Sequence, residues 1–243
     1  IATSQNCLQL IPVSQENRHD LYYWRMLEVD SLLSLGLYNL DLGELATAAS
    51  LFQRVIDLAH NTKHHAWSEK AALCLALVNS YVTPAHTPNS TVTRLYRLTV
   101  DVEDESYNTG RFAYFMQILG QIFFNHQQIE SAKIIWTKAI AFARSSHYTQ
   151  IEAKSLIGLA CIERFRQNFN QANFYHQQAT ELLEQIGAKC NLAEAYFQWG
   201  ITLKDSDRPK TSQEYFTKAI NLFQQIEAPK QVARIQDYTH NGG

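Results

Sequence analysis

The sequence lacks the long apolar segment that a membrane-spanning helix requires. No stretch approaches the ~18 uninterrupted apolar residues of such a helix, so we expect no membrane insertion. An excess of charge of one sign is also missing, because 21 basic and 23 acidic residues leave a formal net charge of −2. Nucleic acids and anionic membranes select clustered Lys and Arg. This charge balance therefore argues against either as the main partner.

Cysteine is scarce and shows no paired spacing. The four cysteines, Cys7, Cys74, Cys161 and Cys190, include no CxxC motif. This favours buried thiols in a reducing compartment over disulfides or metal ligation, and it predicts a cytoplasmic protein. The chain starts at Ile1 without a leader that ends in a small-residue cleavage site, which suggests an excised fragment or a processed chain.

A repeat of 40 residues is the strongest pattern in the sequence. Three segments align without gaps, and each has a small residue, a second small residue 12 positions later, a ring 4 positions after that, and Ala 3 positions beyond. Self-similarity at a fixed period is typical of stacked repeat architectures. The three sets are Gly120, Ala132, Trp136 and Ala139; Ala160, Ala172, His176 and Ala179; and Gly200, Ser212, Phe216 and Ala219.

Two further units extend the repeat toward the N-terminus. One has Gly36, Ala48, Phe52 and Val55 at the four positions. The other starts at Ala76 and fits only with four inserted residues in the loop around Pro84 and Pro88, because proline does not fit inside a helix. With the insertion, the later positions are Val92, Tyr96 and Thr99. The distance from the last position to the next small residue is then 21 in every unit.

Close packing of helices explains the pattern. Two antiparallel helices cross tightly only where a small residue lets the backbones approach, and the ring fills the space against the next unit. Apolar residues follow a 3.6-residue stripe in these segments, and the five prolines fall between the predicted helices. The sequence therefore predicts an all-α fold of stacked helix pairs.

The repeat also sets the predicted domain boundaries. Residues 1–16 form an N-terminal extension, residues 17–239 form the repeat domain, and residues 240–243 form a tail. A final helix with a polar outer face is expected to cap the stack. The predicted repeats lie near residues 24–60, 64–103, 106–145, 148–187 and 188–226, with the cap at 228–239.

The order of Leu-Gly, then Ala, an aromatic ring and Ala resembles the tetratricopeptide repeat over roughly residues 24–239. It departs from the usual period of about 34 residues. Six extra residues between the second helix of one unit and the first of the next imply longer helices, as in variants that resemble bacterial and cyanobacterial arrays. The resemblance implies a right-handed α-solenoid that binds protein partners.

Catalytic and metal-binding motifs are weakly represented. His60, His64 and His65 include an i, i+4 pair but have no acidic or Cys partner nearby, so a solvated helix end is the favoured interpretation. Cys161 and His176 could act as nucleophile and base, but Cys161 lies one residue past a packing position of the first helix and His176 takes the interior ring position of the second, so structural roles are favoured. There is no GxSxG, HExxH or phosphate-binding Gly-rich loop. We predict no enzymatic activity, no cofactor and no metal.

In the tetratricopeptide family the first helix of each repeat lines a concave groove, and the resemblance assigns groove positions to this chain. Gln117, Gln121 and Asn125 would form a polar ladder able to bond a peptide backbone, with Lys154, Arg164 and Lys204 nearby. The family's Lys/Asn clamp for a terminal carboxylate is not matched, since Gln117 and Ile157 stand where Lys is needed. The assigned positions are Tyr114, Gln117, Gln121, Phe124 and Asn125; Lys154, Ile157, Cys161, Arg164 and Phe165; and Glu194, Phe197, Ile201, Lys204 and Asp205.

These positions predict a scaffold that holds a peptide or helix of a partner protein in the groove. The alternative is a regulatory sensor that binds a small molecule or a signal peptide and changes its superhelical pitch. A groove that is merely solvated or packed by its neighbours is also compatible with the residues. The sequence favours the scaffold, because stacked repeats create a long surface.

Overall fold

The computed structural model describes residues 18–60, 65–83, 92–96 and 110–241, and this part of the chain is helical without any strand. The predicted all-α helical-repeat fold is confirmed. The chain divides into two compact units, Ile1–Val92 and Thr93–Gly243. Among the described helices, none is both long and apolar enough to cross a membrane.

The first unit contains three described helices, with α2 packed against both of the others. These helices are α1 (Arg18–Asp41), α2 (Leu45–His60) and α3 (His65–Val82). A Cβ atom added at Gly36 in α1 would lie 2.5 Å from Cε1 of Phe52 in α2. The small residue and the ring of this repeat therefore touch, as the spacing predicts.

The second unit contains seven named helices that pack against their neighbours in sequence. A helical segment at 92–96 precedes them, and its Tyr96 ring lies 4.7 Å from the ring of Phe123. The helices are α4 (Gly110–Asn125), α5 (Ile129–Ser145), α6 (Thr149–Phe165), α7 (Phe169–Gln185), α8 (Lys189–Asp205), α9 (Pro209–Gln225) and α10 (Pro229–Asn241).

Three-residue turns with a similar backbone conformation join the helices of the second unit. Each of α5 to α9 has 17 residues, so two helices and two three-residue turns make up one repeat. A residue with positive φ recurs every 20 positions in these turns, where it lets the chain end one helix and enter the next. These residues are Gln127, His147, Gln167, Gly187, Asp207 and Glu227.

Glycines facing rings hold the helix pairs of the second unit together. A Cβ at Gly120 would lie 2.5 Å from Cδ1 of Trp136, and a Cβ at Gly200 would lie 2.6 Å from Cδ1 of Phe216. Trp136 also contacts a third helix closely, since a Cβ at Gly158 would lie 2.5 Å from its Cε2. The Trp136 side chain is fully buried, and its Nε1–H donates to the Gln117 carbonyl at 3.1 Å. This indole therefore joins α4, α5 and α6.

His176 takes the ring position of the next repeat and is fully buried. Its ring stacks on Trp199 with the centroids 5.9 Å apart, and its Nε2 lies 2.9 Å from Thr202 Oγ1. Because the Thr202 hydroxyl donates to the Gln198 carbonyl, it accepts the hydrogen from Nε2. Nδ1 has no hydrogen-bond partner among the described residues. Burial, with a further contribution from the charge of Arg164, lowers the pKa of His176 to about 3.

Several sequence predictions fall outside the described residues. They are the N-terminal extension, Cys7, the Pro-bounded insertion, Thr99 and the side chains of His60, His64 and His65. Within the described part, no group of three or more His, Cys, Asp or Glu residues is placed to hold a metal ion. Cys74 and Cys161 are buried thiols, as expected, whereas Cys190 is half-buried.

The packing around Trp136 predicts a strong coupling between Gly120 and this indole. Gly120→Ala should lower the free energy of unfolding by about 1–3 kcal/mol, because the added methyl overlaps an indole that Gly158 prevents from moving. In a Trp136→Leu background the same change should cost far less. Urea unfolding of the four proteins of this double-mutant cycle measures the coupling. Additive effects of the two substitutions would contradict the packing described.

The buried neutral His176 predicts that stability falls as the pH drops below about 6.5, the ordinary histidine pKa. Between that pH and about 3 the unfolded chain binds a proton that the folded chain does not, so the free energy of unfolding decreases. His176→Phe places at this position the ring that other repeats carry, without a titratable group. From pH 6 to pH 5 the wild type should lose about 1 kcal/mol more than this variant in urea unfolding. Equal pH dependence in both proteins would refute the assignment.

Candidate functional site

The first helices of the three C-terminal helix pairs lie side by side. Helix α4 contacts α6, and α6 contacts α8. We call the surface of these helices that carries the predicted binding residues the groove face. Where the C-terminal ends of the three helices meet, a cavity of about 510 Å³ is lined by Phe124, Cys161, Arg164, Phe165 and Asp205, together with Gln167 and Phe169 from the next turn and helix. Five of the residues assigned from sequence therefore share one cavity.

A hydrogen-bond network runs from α6 across α8 to α10 along the groove face. Arg164 Nη1 donates to the side-chain oxygen of Gln198 at 3.2 Å and to its carbonyl at 3.3 Å, and Arg164 Nε lies 3.7 Å from Asp205. Gln198 Nε2 in turn donates to Glu194 at 2.9 Å, and Arg234 from α10 pairs with the other oxygen of Glu194. The network holds the Arg164 guanidinium in place beside the cavity.

The network also sets the protonation state of Glu194. Desolvation alone would raise the pKa of this carboxyl. The charge of Arg234, hydrogen bonds from Gln198 and Arg234, and the charge of Lys154 outweigh it and lower the pKa below its ordinary value. Glu194 is thus a carboxylate at neutral pH and keeps Gln198 oriented toward Arg164.

Cys161 and His176 do not form a nucleophile and base pair. The Cys161 thiol donates to Gln198 Oε1 at 3.4 Å, whereas His176 bonds to Thr202. Burial raises the pKa of the Cys161 thiol and lowers that of His176, so the thiol stays protonated and the imidazole stays neutral. An activated thiol requires the opposite shift of its pKa. Both groups serve the packing and the network.

Helix α10 covers the α8 end of the groove face. Phe197 is only 4 % exposed, because the Arg234 guanidinium lies 4.7 Å from its ring centroid and Tyr238 packs edge-on at 5.6 Å. Lys204 Nζ lies 5.3 Å from the centroid of the Tyr238 ring. Three of the residues assigned on α8, namely Glu194, Phe197 and Lys204, therefore contact side chains of α10. Ile201 is half-buried.

The residues assigned on α4 and early α6 differ in accessibility. Gln117 and Ile157 are buried, at 7 % and 9 % exposure, and contribute to the floor of the groove face. Gln121 and Asn125 bond to each other at 2.9 Å, with the Gln121 amide as donor. The half-buried side chains that remain are Tyr114, Phe124 and Lys154. Of the predicted polar ladder, Gln117 is therefore buried, and only Gln121 and Asn125 remain accessible.

Sequence reasoning missed Gln198 and Tyr238, which help to organise the groove face. It placed Arg234 on the polar outer face of the capping helix, whereas this side chain pairs with Glu194 and lies over the Phe197 ring. Gln198 lies four residues after Glu194, a spacing at which helical side chains meet. That spacing was the available signal for Gln198. Arg234 and Tyr238 lie on the capping helix, whose packing onto α8 has no sequence signal of its own.

No protein-family model matches the chain, and no curated protein matches its sequence. Its structure is similar to that of aspartyl phosphate phosphatase F from Bacillus subtilis, with a TM-score of 0.59 and 16 % identity over 97 % of this chain and 63 % of that one. It is also similar to the apo form of RapI, with a TM-score of 0.57 and 14 % identity over 87 % of this chain and 77 % of RapI.

A third similar structure is BtubC (BKLC) from P. vanneervenii, with a TM-score of 0.51 and 13 % identity over 93 % of this chain and 90 % of that one. At such identities the likeness concerns the fold alone. The chain spans 63 % of the length of the phosphatase. The comparisons support the helical-repeat fold predicted from the spacing of small residues and rings.

Proposed function

We propose that this protein is a binding module, rather than an enzyme, that holds a peptide or helix of a partner protein on the groove face. The observation that carries the proposal is the cavity of about 510 Å³ at the ends of α4, α6 and α8. Its volume falls within the usual range of binding pockets, ~300–1,000 Å³. Phe165 stands at this cavity with 70 % of its surface exposed. Burial of this ring against a partner would be strongly favourable.

The side chains around Phe165 have the character of an interaction hot spot. Aromatic residues and Arg dominate the energy of protein interfaces, and Arg164 is held rigidly beside Phe165 by Gln198 and Asp205. A fixed guanidinium loses little conformational entropy when it bonds a partner. Phe124 adds apolar surface on the other side of the cavity. An apolar anchor of the partner would fit between the two rings.

Polar groups farther along the groove face suit an extended chain or a helix end. Gln121 and Asn125 expose an amide pair, and Lys154 adds a positive charge. Amide side chains can both donate to and accept from a peptide backbone. We place the module in the cytoplasm, in line with the buried thiols of Cys74 and Cys161. Protein is the proposed partner class, and nucleic acid is not, because the charge is balanced.

The proposal predicts that Phe165 contributes most of the affinity for a selected ligand. Peptides selected from a displayed random library against the full chain would supply a consensus ligand, whose dissociation constant is measured by fluorescence anisotropy. Phe165→Ala should weaken binding at least tenfold, since removal of a hot-spot aromatic costs ~2 kcal/mol or more.

Phe174→Ala is the matched control, because Phe174 is 52 % exposed but lies on α7, outside the groove face. The affinity of the Phe174→Ala variant for the selected peptide should stay within about twofold of wild type, as expected for a residue outside the interface. Thermal unfolding of both variants checks that the fold is kept. Equal affinity of Phe165→Ala and wild type would contradict binding of the peptide on the groove face.

A further inference from the structure

A second cavity lies on the other side of α8, between α7 and α9. Its volume is about 360 Å³, and its lining includes Asn173 of α7, Trp199 and Leu203 of α8, and Arg208 and Tyr215 at the turn and start of α9. Successive helical residues are about 100° apart, which places Trp199 about 160° from Phe197 and from Ile201. The cavity is therefore separate from the groove face.

Arg208 is distinguished from the other arginines around it. Arg144, Arg164, Arg166 and Arg234 each form an ion pair with a carboxylate. The guanidinium of Arg208 makes no hydrogen bond or ion pair with the residues that the structure describes, including the adjacent Asp207; only its backbone is bonded. Arg208 is exposed at the rim of the cavity, so its guanidinium is accessible to an anionic ligand, with which it can form a charge-assisted pair.

The preceding repeat fills the corresponding place with a different set of side chains. Forty residues earlier, Glu163 stands at the position of Leu203, and Asn168 stands at the position of Arg208. Glu163 accepts hydrogen bonds from Lys133 at 3.3 Å and from Asn168 at 3.0 Å, so a carboxylate fills this place in the repeat of α6 and α7. The repeat of α4 and α5 has Phe123 at the same position. In the last repeat Leu203 removes that carboxylate and Arg208 adds a cation.

Two further side chains complete the second cavity. Trp199 Nε1 donates to Asn173 Oδ1 at 2.8 Å, which orients the Asn173 amide and leaves its Nδ2 hydrogens as donors. The Trp199 ring also packs against Tyr215, with the centroids 4.6 Å apart. The cavity therefore combines a cation, an amide donor and an aromatic wall.

We propose that this second cavity binds a carboxylate carried by an aromatic or apolar group. The ligand's carboxylate pairs with the Arg208 guanidinium and accepts from Asn173, while its apolar part packs against Trp199 and Leu203. A volume of about 360 Å³ accommodates a small aralkyl acid or the terminal residue of a peptide. The ligand supplies the carboxylate that Glu163 supplies in the preceding repeat.

Titration calorimetry on the full chain tests this proposal with four probes. They are N-acetylphenylalanine, a hexapeptide that ends in phenylalanine with a free carboxylate, and the carboxamide of each. At least one carboxylate probe should bind at least tenfold tighter than its carboxamide, because a charge-assisted bidentate contact is lost in the amide. Binding of both carboxylate probes indicates that a free acid suffices, and binding of the peptide alone indicates a chain terminus as the source.

Three variants localise the binding. Arg208→Gln should remove the preference for the carboxylate, whereas Arg166→Gln, which removes an arginine already paired with Glu130, should keep it. Leu203→Glu recreates the carboxylate of the preceding repeat and should block the probes although Arg208 is present. Circular dichroism verifies that each variant is folded. Equal binding of acid and amide, unchanged binding by Arg208→Gln, or no binding of any probe would overturn the proposal.

Discussion

The contact between a glycine and an aromatic ring is the constraint on which the helix pairs of this protein depend. At Gly36, Gly120 and Gly200 the ring of the second helix occupies the space where any side chain would project. The backbones approach closely only because that space is empty of Cβ atoms. Trp136 extends the contact to a third helix through Gly158. This contact sets the packing of α4 on α5 and of α8 on α9, whereas the pair of α6 and α7 has Ala160 and His176 at the same two positions. Together these pairs place α4, α6 and α8 side by side and create the groove face.

The two sides of α8 make different contacts. On one side Glu194 and Gln198 connect Arg164 to Arg234 and stiffen the groove face. On the other side Trp199 stacks on His176 and borders the second cavity. Because both sides of a first helix contact neighbouring helices, one helix can border two separate cavities. Helix α8 does so, with Asp205 at the first cavity and Trp199 and Leu203 at the second.

The sequence predicted those features that recur at fixed spacing. The glycine and ring positions and the helical class follow from the 40-residue register. The groove positions came from the family resemblance, and the cavity that Arg164 and Phe165 line was not predicted. Features that depend on a single side chain could not be predicted in this way. Gln127 and Gln167 adopt positive φ in turns, although glutamine gives no signal for that conformation. Phe197 looked accessible by register, but α10 covers it.

Site-specific photocross-linking tests the central claim, that the groove face binds the partner, most directly. A photoreactive benzoyl-phenylalanine would replace Phe165 in one protein and Phe174 in another, since both rings are exposed and lie on different helices. Each protein would be irradiated with the selected peptide, and the products would be read by mass spectrometry. The account predicts a cross-link at position 165 and none at position 174. A cross-link at position 174 alone would contradict it.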